Sequence, residues 1–235
     1  MQDIVQQMIE HAAEKPGEEV CGLVVSNKVK SAVLRGTNVA RNRLAHFDLD
    51  PEVFLRVPDG WEVVASYHSH PNGIVTPSPA DLAACEASNM PMHIVCAGNQ
   101  AHHEFSPSGY RAPYLKRPYV FGVHDCWSLV RDWYDGEFGI KLPQFDYEQQ
   151  AYHAKEDVFV RNIEKAGFVN VRGMPVQHGD VMLIQVGNSY PNHAAIWLDS
   201  ARILHHVTGR VSKEDHWCGY WAQHMSHHVR HQQRL

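Results

Sequence analysis

Two histidines constrain the first half of the chain more than any other feature. His68 and His70 lie two residues apart at the end of Glu62 to Tyr67, a stretch rich in valine and aromatic residues that is typical of a β-strand. Side chains two apart on a strand point to the same face, so both imidazoles can reach one metal ion. The sequence therefore predicts a strand that ends in a pair of metal ligands.

A predicted helix start follows and supplies a carboxylate. Ser78, Pro79 and Asp81 match the N-cap, the first and the third positions of a helix. Asp81 is then held in a rigid first turn, where it can complete a set of three ligands. Two histidines and one carboxylate leave a fourth tetrahedral position for water, which is typical of a catalytic zinc site.

A catalytic zinc site of this kind also needs a general base. Glu18 and Glu19 precede the apolar run Cys21 to Val25, which is typical of a buried strand, and either glutamate can project into the site. A capping box and a polar strand end would explain each motif singly, but not their occurrence together with an upstream glutamate. We therefore expect a hydrolase site that binds Zn²⁺.

The combined pattern resembles the JAB1/MPN/Mov34 metalloprotease family. Its elements are a glutamate near a Cys-Gly-Leu strand, followed by His-x-His-x7-Ser-x2-Asp. The zinc ligands that the resemblance implies are His68, His70 and Asp81. It also implies that Glu19 is the general base and that Ser78 steadies the water or the oxyanion, with Glu18 as the alternative to Glu19.

Length and composition limit the number of domains and the kinds of partner that the chain can have. The 235 residues are 44% hydrophobic, which suffices for the cores of two small domains. The formal net charge is −5 and no Lys/Arg-rich block occurs, so we expect no nucleic-acid partner. No apolar run approaches the roughly 18 residues that a bilayer requires, and the N-terminus has no export signal, so we expect no membrane insertion.

A segment rich in proline marks the predicted boundary between two domains. Residues 106–118 contain three prolines and a glycine, which deny regular structure. We expect a first domain at 1–107, a linker at 108–117 and a second domain at 118–235.

The first domain combines an opening helix with short strands and is predicted to be α/β. The second places helices before strands and is predicted to be α+β. The strand candidates of the second domain are Asp180 to Val186, Ala194 to Leu198 and Ile203 to Val207.

A cysteine begins the first predicted helix of the second domain. Cys126 stands where the helix dipole and the free backbone N–H groups favour a thiolate. His193 begins a predicted strand, and His205 and His206 lie on the next one, so a Cys-His-His arrangement is feasible, with the second imidazole orienting the first. A lone cysteine is generally a small buried hydrophobe, but the downstream histidines favour a nucleophile.

The second domain resembles the NlpC/P60 cysteine peptidases, which have a papain-like fold and cleave the peptide stem of the cell wall. The patterns that carry the resemblance are Asp-Cys-x-x-Leu-Val, Gly-Asp-Val and His-Ala-Ala-Ile-Trp-Leu. The resemblance implies that Cys126 is the nucleophile, that His193 is the base and that Tyr119 lies near the oxyanion region. It implies His205 as the third polar residue, with His206 as the alternative, since strand alternation lets only one of the two face the site.

The two domains in one short chain resemble the tail tip assembly proteins of long-tailed bacteriophages, the K type of lambda-like phages in particular. The resemblance implies that the partners are other tail tip proteins and the stem peptide of peptidoglycan. It implies assembly in the host cytoplasm and leaves the virion tail tip open as a second location. Two alternatives stay open: a bacterial isopeptidase acting on a ubiquitin-like conjugate through the first domain, and a non-catalytic assembly factor.

Overall fold

The structure is a computed structural model that describes residues 2–40, 42–145 and 158–235. It divides into two compact units, Met1–Arg111 and Ala112–Leu235. Residues 112–117, which we predicted as part of the linker, are grouped with the second unit. There Arg117 is buried and its guanidinium pairs with Asp132 at 2.6 Å. None of the helices in the described ranges combines the length and the apolar character that a membrane crossing needs.

The first unit is an α/β domain built on five strands. The strands are β1 (Cys21–Ser26), β2 (Ser31–Arg35), β3 (Glu62–Ser69), β4 (Met92–Cys96) and β5 (Ala101–Phe105). The helices are α1 (Gln2–Ala13), α2 (Pro79–Ser88) and a 3₁₀ helix (Pro51–Arg56). The strand order is β2-β1-β3-β4-β5, in which β3 and β4 are parallel and the other neighbours are antiparallel. This mixture confirms the predicted class of the first domain.

The centre of this sheet depends on close backbone approach at one glycine. A Cβ at Gly22 would lie 2.3 Å from the backbone oxygen of Leu34 and 2.5 Å from the ring of Tyr67. Only a residue without a side chain therefore fits here, between β2 and β3. On one face of the sheet, α1 buries Met8 and Ile9 in a common apolar cluster with strand residues.

In the described residues of the second unit, two helices precede a six-stranded sheet and two short helices flank its last strand. The helices are α3 (Cys126–Phe138), α4 (Val158–Lys165), α5 (Gly219–Gln223) and a 3₁₀ helix (Gln232–Arg234). The strands are β6 (Phe168–Asn170), β7 (Val181–Ile184), β8 (His193–Trp197), β9 (Arg202–His205), β10 (Lys213–His216) and β11 (Met225–His231). The order is β10-β9-β8-β7-β11-β6, with every neighbouring pair antiparallel. The α+β prediction is thereby confirmed.

Helix α3 is defined at both ends by its sequence. Asp125 is the N-cap and forms a capping box with Ser128, and Gly139 ends the helix with a left-handed φ of 67°. The apolar stripe of α3 includes Leu129 and Trp133 and shares one core cluster with Ala194 of β8. Local capping and core packing together fix Cys126 as the first helical residue.

Candidate metal centre and candidate cysteine site

The two histidines and the aspartate of the first unit converge. The Nε2 atoms of His68 and His70 are 3.1 Å apart. Asp81 Oδ1 lies 3.2 Å from His68 Nε2, and its Oδ2 lies 3.5 Å from His70 Nε2. A tetrahedral zinc ion with ligand bonds of about 2.0–2.2 Å places neighbouring ligands about 3.3–3.5 Å apart. The donor set therefore fits a zinc ion in both chemistry and spacing.

The third ligand is held by the start of α2. Ser78 caps the helix, since its hydroxyl accepts from the Asp81 N–H at 3.2 Å and its own N–H donates to Asp81 Oδ2 at 2.7 Å. The cap does not use the Ser78 O–H hydrogen, which can still donate toward the site. His70 is oriented separately, because its Nδ1 lies 2.6 Å from the Ile74 carbonyl and must donate to it. The Nε2 lone pair is then directed at the metal position.

Electrostatics keep Asp81 and His68 in the forms that bind metals. The pKa of His70 is raised instead: burial lowers it, but its contacts with Asp81 and the Ile74 carbonyl outweigh burial. Burial alone would raise the pKa of Asp81, but its contacts with His68 and His70 outweigh burial and hold that pKa far below its ordinary value. Burial lowers the pKa of His68. An ionised carboxylate and a neutral imidazole are the protonation states that metal binding requires.

Strand register brings Glu19 next to this site. Cys21 pairs with His68, and the Ser69 N–H donates to the Val20 carbonyl at 2.9 Å, so the register places Glu19 opposite His70. The Glu19 side chain is buried, which raises its pKa to about 7; His70 opposes this shift and Asp81 adds to it. A carboxyl group that titrates near neutrality suits a general base.

Glu18 occupies a different environment from Glu19. It is half-buried and lines a surface cleft with Lys15 and Arg43. Its N–H donates to the Lys15 carbonyl at 3.1 Å, so Glu18 still belongs to the turn that follows α1. The geometry therefore associates Glu19, and not Glu18, with the candidate metal centre.

One loop that we did not predict supports both the base and a ligand. Asn38 is buried and donates to the Glu19 carbonyl at 2.7 Å, while the Glu19 N–H donates to the Arg43 carbonyl at 2.7 Å. From the same loop, Phe47 stacks on His68 with ring centroids 4.3 Å apart. These contacts join residues far apart in sequence, so no local sequence pattern predicts them.

The nucleophile candidate of the second unit lies at a helix start. Cys126 is buried in the core cluster that also holds Ala194, the residue next to His193. Asp125 accepts from the Ser128 N–H at 2.8 Å and from the Gly122 N–H at 3.0 Å. The loop before the cysteine is thereby tied to the first turn of α3.

Three side chains form a hydrogen-bonded row across the neighbouring strands β8, β9 and β10. His193 Nε2 lies 3.1 Å from His205 Nδ1, and His205 Nε2 lies 3.1 Å from Asp215 Oδ2. We did not predict Asp215, because the charged segment around it has no pattern that distinguishes it from a solvated strand. His206 is occupied elsewhere: its Nε2 lies 3.2 Å from the Arg210 carbonyl and its ring packs edge-on against Tyr119. The two adjacent histidines therefore make different contacts.

The electrostatics of this site favour a neutral base. Burial, with smaller contributions from His205 and His206, lowers the pKa of His193 to about 3. Tyr119 is close enough to Cys126 for the two to interact electrostatically, and burial together with Cys126 raises the pKa of Tyr119. A neutral imidazole can accept the proton of a thiol.

Both halves of the chain match known families. The model for prokaryotic homologs of the JAB domain matches residues 1–108, and the NlpC/P60 family model matches residues 116–230. The chain is similar to the tail tip assembly protein K of Escherichia phage N15, with 32% identity over 224 residues, 94% of this chain and 91% of that protein. Similarity to the tail tip assembly protein K of Escherichia phage lambda is 34% over 176 residues, 74% of this chain and 85% of that protein. A desampylase of Haloferax volcanii is 28% identical over 120 residues, 46% of this chain and 84% of that protein.

Proposed function

The chain belongs to the tail tip assembly protein K family, and we propose that it is an assembly protein of a phage tail tip that also cleaves the stem peptide of peptidoglycan. The observation that carries the proposal is the hydrogen bond between His193 and His205 in the region that the NlpC/P60 model matches, a region in which α3 also begins at Cys126. A second hydrolytic site at the candidate metal centre acts on a peptide or isopeptide bond.

The reaction of the cysteine site follows from the protonation states. Cys126 gives its thiol proton to His193 and its Sγ attacks the carbonyl carbon of the scissile bond, forming a thioester as the C–N bond breaks. The proton on His193 passes to the leaving amine. A water molecule then adds hydroxide to the acyl carbon and gives its proton to His193, which returns it to the departing sulfur. Tyr119, beside Cys126, is suited to the oxyanion side of the site.

At the metal centre, His68, His70 and Asp81 would hold a zinc ion. When bound, zinc supplies Lewis-acid chemistry for hydrolysis of a peptide or isopeptide bond. Glu19 takes and returns a proton as the general base, which its pKa of about 7 supports. The Ser78 hydroxyl donates a hydrogen bond to the water or the oxyanion from its place at the start of α2.

The proposed partners and places of action follow from family membership. The chain assembles with other tail tip proteins in the host cytoplasm, and incorporation at the virion tail tip brings the cysteine site to the cell wall. The similarity to a desampylase favours a second candidate for the first unit, an isopeptidase acting on a ubiquitin-like conjugate. A third candidate, an assembly factor without catalysis, is opposed by the presence of both residue sets.

A cell-wall digest tests the cysteine reaction. Peptidoglycan treated with the purified protein should yield a new amine on a stem-peptide residue by mass spectrometry, and Cys126→Ala should abolish it. Cys218→Ala is the matched control, since Cys218 is exposed and outside the site. Equal digestion by Cys126→Ala and the wild type would refute the thiol mechanism.

Two further measurements test the metal centre and the assembly role. Elemental analysis should find about one zinc per chain in the wild type, and none in His68→Ala. An equal and negligible zinc content in both, after purification with zinc present, would refute the site. Electron microscopy of particles made without this gene should find defective tails, and normal infectious tails would refute the assembly role.

A further inference from the structure

We infer that Asp215 is a positioning residue of the cysteine site, which sets the tautomer of His205 and, through it, the tautomer of His193. The inference rests on the proposed cysteine peptidase function. It assigns a role to a residue of β10 that touches neither the nucleophile nor a substrate group.

The contact between Asp215 and His205 determines which nitrogen of His205 carries the hydrogen. An ionised carboxylate only accepts hydrogen bonds, so the hydrogen in the 3.1 Å contact must belong to His205 Nε2. The Lys213 ammonium lies 2.8 Å from the same carboxylate oxygen. Burial raises the pKa of Asp215, but Lys213 and His205 outweigh it and the pKa is lowered. The carboxylate is therefore present over the whole neutral range.

The tautomer of His205 determines the tautomer of His193. A neutral imidazole has one N–H, so a hydrogen on His205 Nε2 leaves a lone pair on its Nδ1. That lone pair faces His193 Nε2 at 3.1 Å, and only a donor makes a hydrogen bond there. His193 then carries its hydrogen on Nε2 and has a lone pair on Nδ1. An imidazole with a free lone pair is the form that a general base requires.

Packing of Trp221 supports the positions of His193 and His205. Trp221 of α5 meets the His205 ring edge-on at 4.6 Å and lies 6.0 Å from the His193 ring. Both imidazoles are buried, and the indole packs against them. The titratable and charged groups that act on the pair are Lys213 and Asp215 from β10 and His206, which follows β9.

The experiment compares Asp215→Ala and Asp215→Asn with Glu214→Gln in the full chain. Glu214 is the neighbour of Asp215 on β10 and pairs with Arg202 on the surface, so its variant controls for loss of a charge and an ion pair on this strand. Two readouts are used: kcat and KM on a purified stem peptide, and the ¹⁵N shifts of the two imidazoles at neutral pH, which distinguish Nδ1–H from Nε2–H.

Asp215→Ala should lower kcat about 10- to 100-fold with KM nearly unchanged, as loss of a histidine's orienting partner typically does. The His205 signal should shift toward the Nδ1–H tautomer. Asp215→Asn should retain the Nε2–H tautomer and most of kcat, because its amide oxygen still accepts. Glu214→Gln should leave both readouts at wild-type values.

A wild-type kcat and wild-type tautomers in Asp215→Ala would overturn the inference. If that variant does not fold, Asp215→Leu, which has the same number of side-chain heavy atoms but no acceptor, gives the same test. An Asp215→Asn variant that loses its Nε2–H tautomer would also overturn it. Failure of the peptidase proposal is distinguished by Cys126→Ala, which would then digest wall peptide normally while the tautomer measurement still reports on Asp215.

Discussion

The ring of Phe47 lies almost parallel to the imidazole of His68, with centroids 4.3 Å apart and planes inclined by 19°. His68 is fully buried, so this stack forms one wall of the candidate metal centre. In the described part of the chain, His68 Nδ1 has no hydrogen-bond partner. The orientation of this ligand therefore depends on packing, whereas His70 is oriented by a hydrogen bond to the Ile74 carbonyl.

Phe47→Ala should weaken zinc binding because it removes the packing that holds His68. We expect the zinc dissociation constant to rise about 10-fold, the lower end of the effect of losing support outside the ligand shell. Competition with a chromophoric chelator measures it. Phe47→Tyr retains the stacked ring and should bind zinc as the wild type does; an unchanged constant in Phe47→Ala would contradict the role of the stack.

Glu19→Gln should separate metal binding from proton transfer at the same centre. Zinc content should stay at the wild-type level because Glu19 is not a ligand. Cleavage by the metal site should fall about 10²- to 10⁴-fold, the range expected for loss of a general base. A panel of linear and isopeptide-linked fluorogenic peptides, assayed in the Cys126→Ala background, measures this site alone.

Glu18→Gln is the matched control for that substitution. Glu18 lies in a surface cleft outside the site, so its variant should cleave at nearly the wild-type rate. A large loss in Glu18→Gln together with a small loss in Glu19→Gln would reverse the assignment of the base.

Local sequence patterns predicted the parts of the sites that lie on single elements. The alternation of β3 indicated that His68 and His70 share a face, and the capping residues Ser78 and Asp81 indicated the start of α2. Cys126 was likewise predicted at the start of α3. In each case the spacing along one strand or one helical turn determines where the side chains point.

Contacts between distant segments could not be predicted in the same way. Phe47 and Asp215 approach their histidines only because separate loops and strands fold together. The histidine-rich segment near the C-terminus has a composition that does not resemble a core strand, yet it forms β11. Its position depends on Asp180, which lies 2.6 Å from His228 and 2.7 Å from Arg230. A local sequence pattern cannot predict pairing between residues this far apart in the chain.

Arg230→Met should destabilise the second unit strongly, because it leaves a buried carboxylate with reduced compensation. Asp180 is 1% exposed and accepts two hydrogen bonds from Arg230. Breaking a buried ion pair from one side costs about 3–5 kcal/mol, and we expect the lower value because His228 still contacts Asp180. Urea unfolding followed by tryptophan fluorescence suits the measurement, since five of the six tryptophans lie in residues 112–235.

Arg202→Met is the control for that loss of an ion pair. Arg202 and Glu214 form an exposed pair, and exposed pairs contribute about 0–1 kcal/mol. Equal losses of unfolding free energy in the Arg202 and Arg230 variants would show that burial of the Asp180–Arg230 pair does not increase its contribution to stability.

The stability of the second unit should fall as the pH decreases below about 6.5. Burial lowers the pKa of His124 to about 4, with Arg117 and His206 adding to the effect. Burial also lowers the pKa of His206 to about 4. The unfolded chain takes up protons near the ordinary pKa of about 6.5, whereas the folded chain leaves these imidazoles neutral until about pH 4. Protonation between these two values therefore favours unfolding.

The urea midpoint, followed by tryptophan fluorescence, should accordingly be lower at about pH 5 than at about pH 7. His124→Phe removes one of the buried imidazoles and should reduce this difference. His216→Gln, at an exposed position of β10, should leave it unchanged. A midpoint that stays constant between the two pH values, or rises toward acid, would mean that these histidines gain protons in the folded state as readily as in the unfolded one. In that case the neutral His193 on which the proposed thiol chemistry relies would lose its physical basis, because the same burial lowers its pKa.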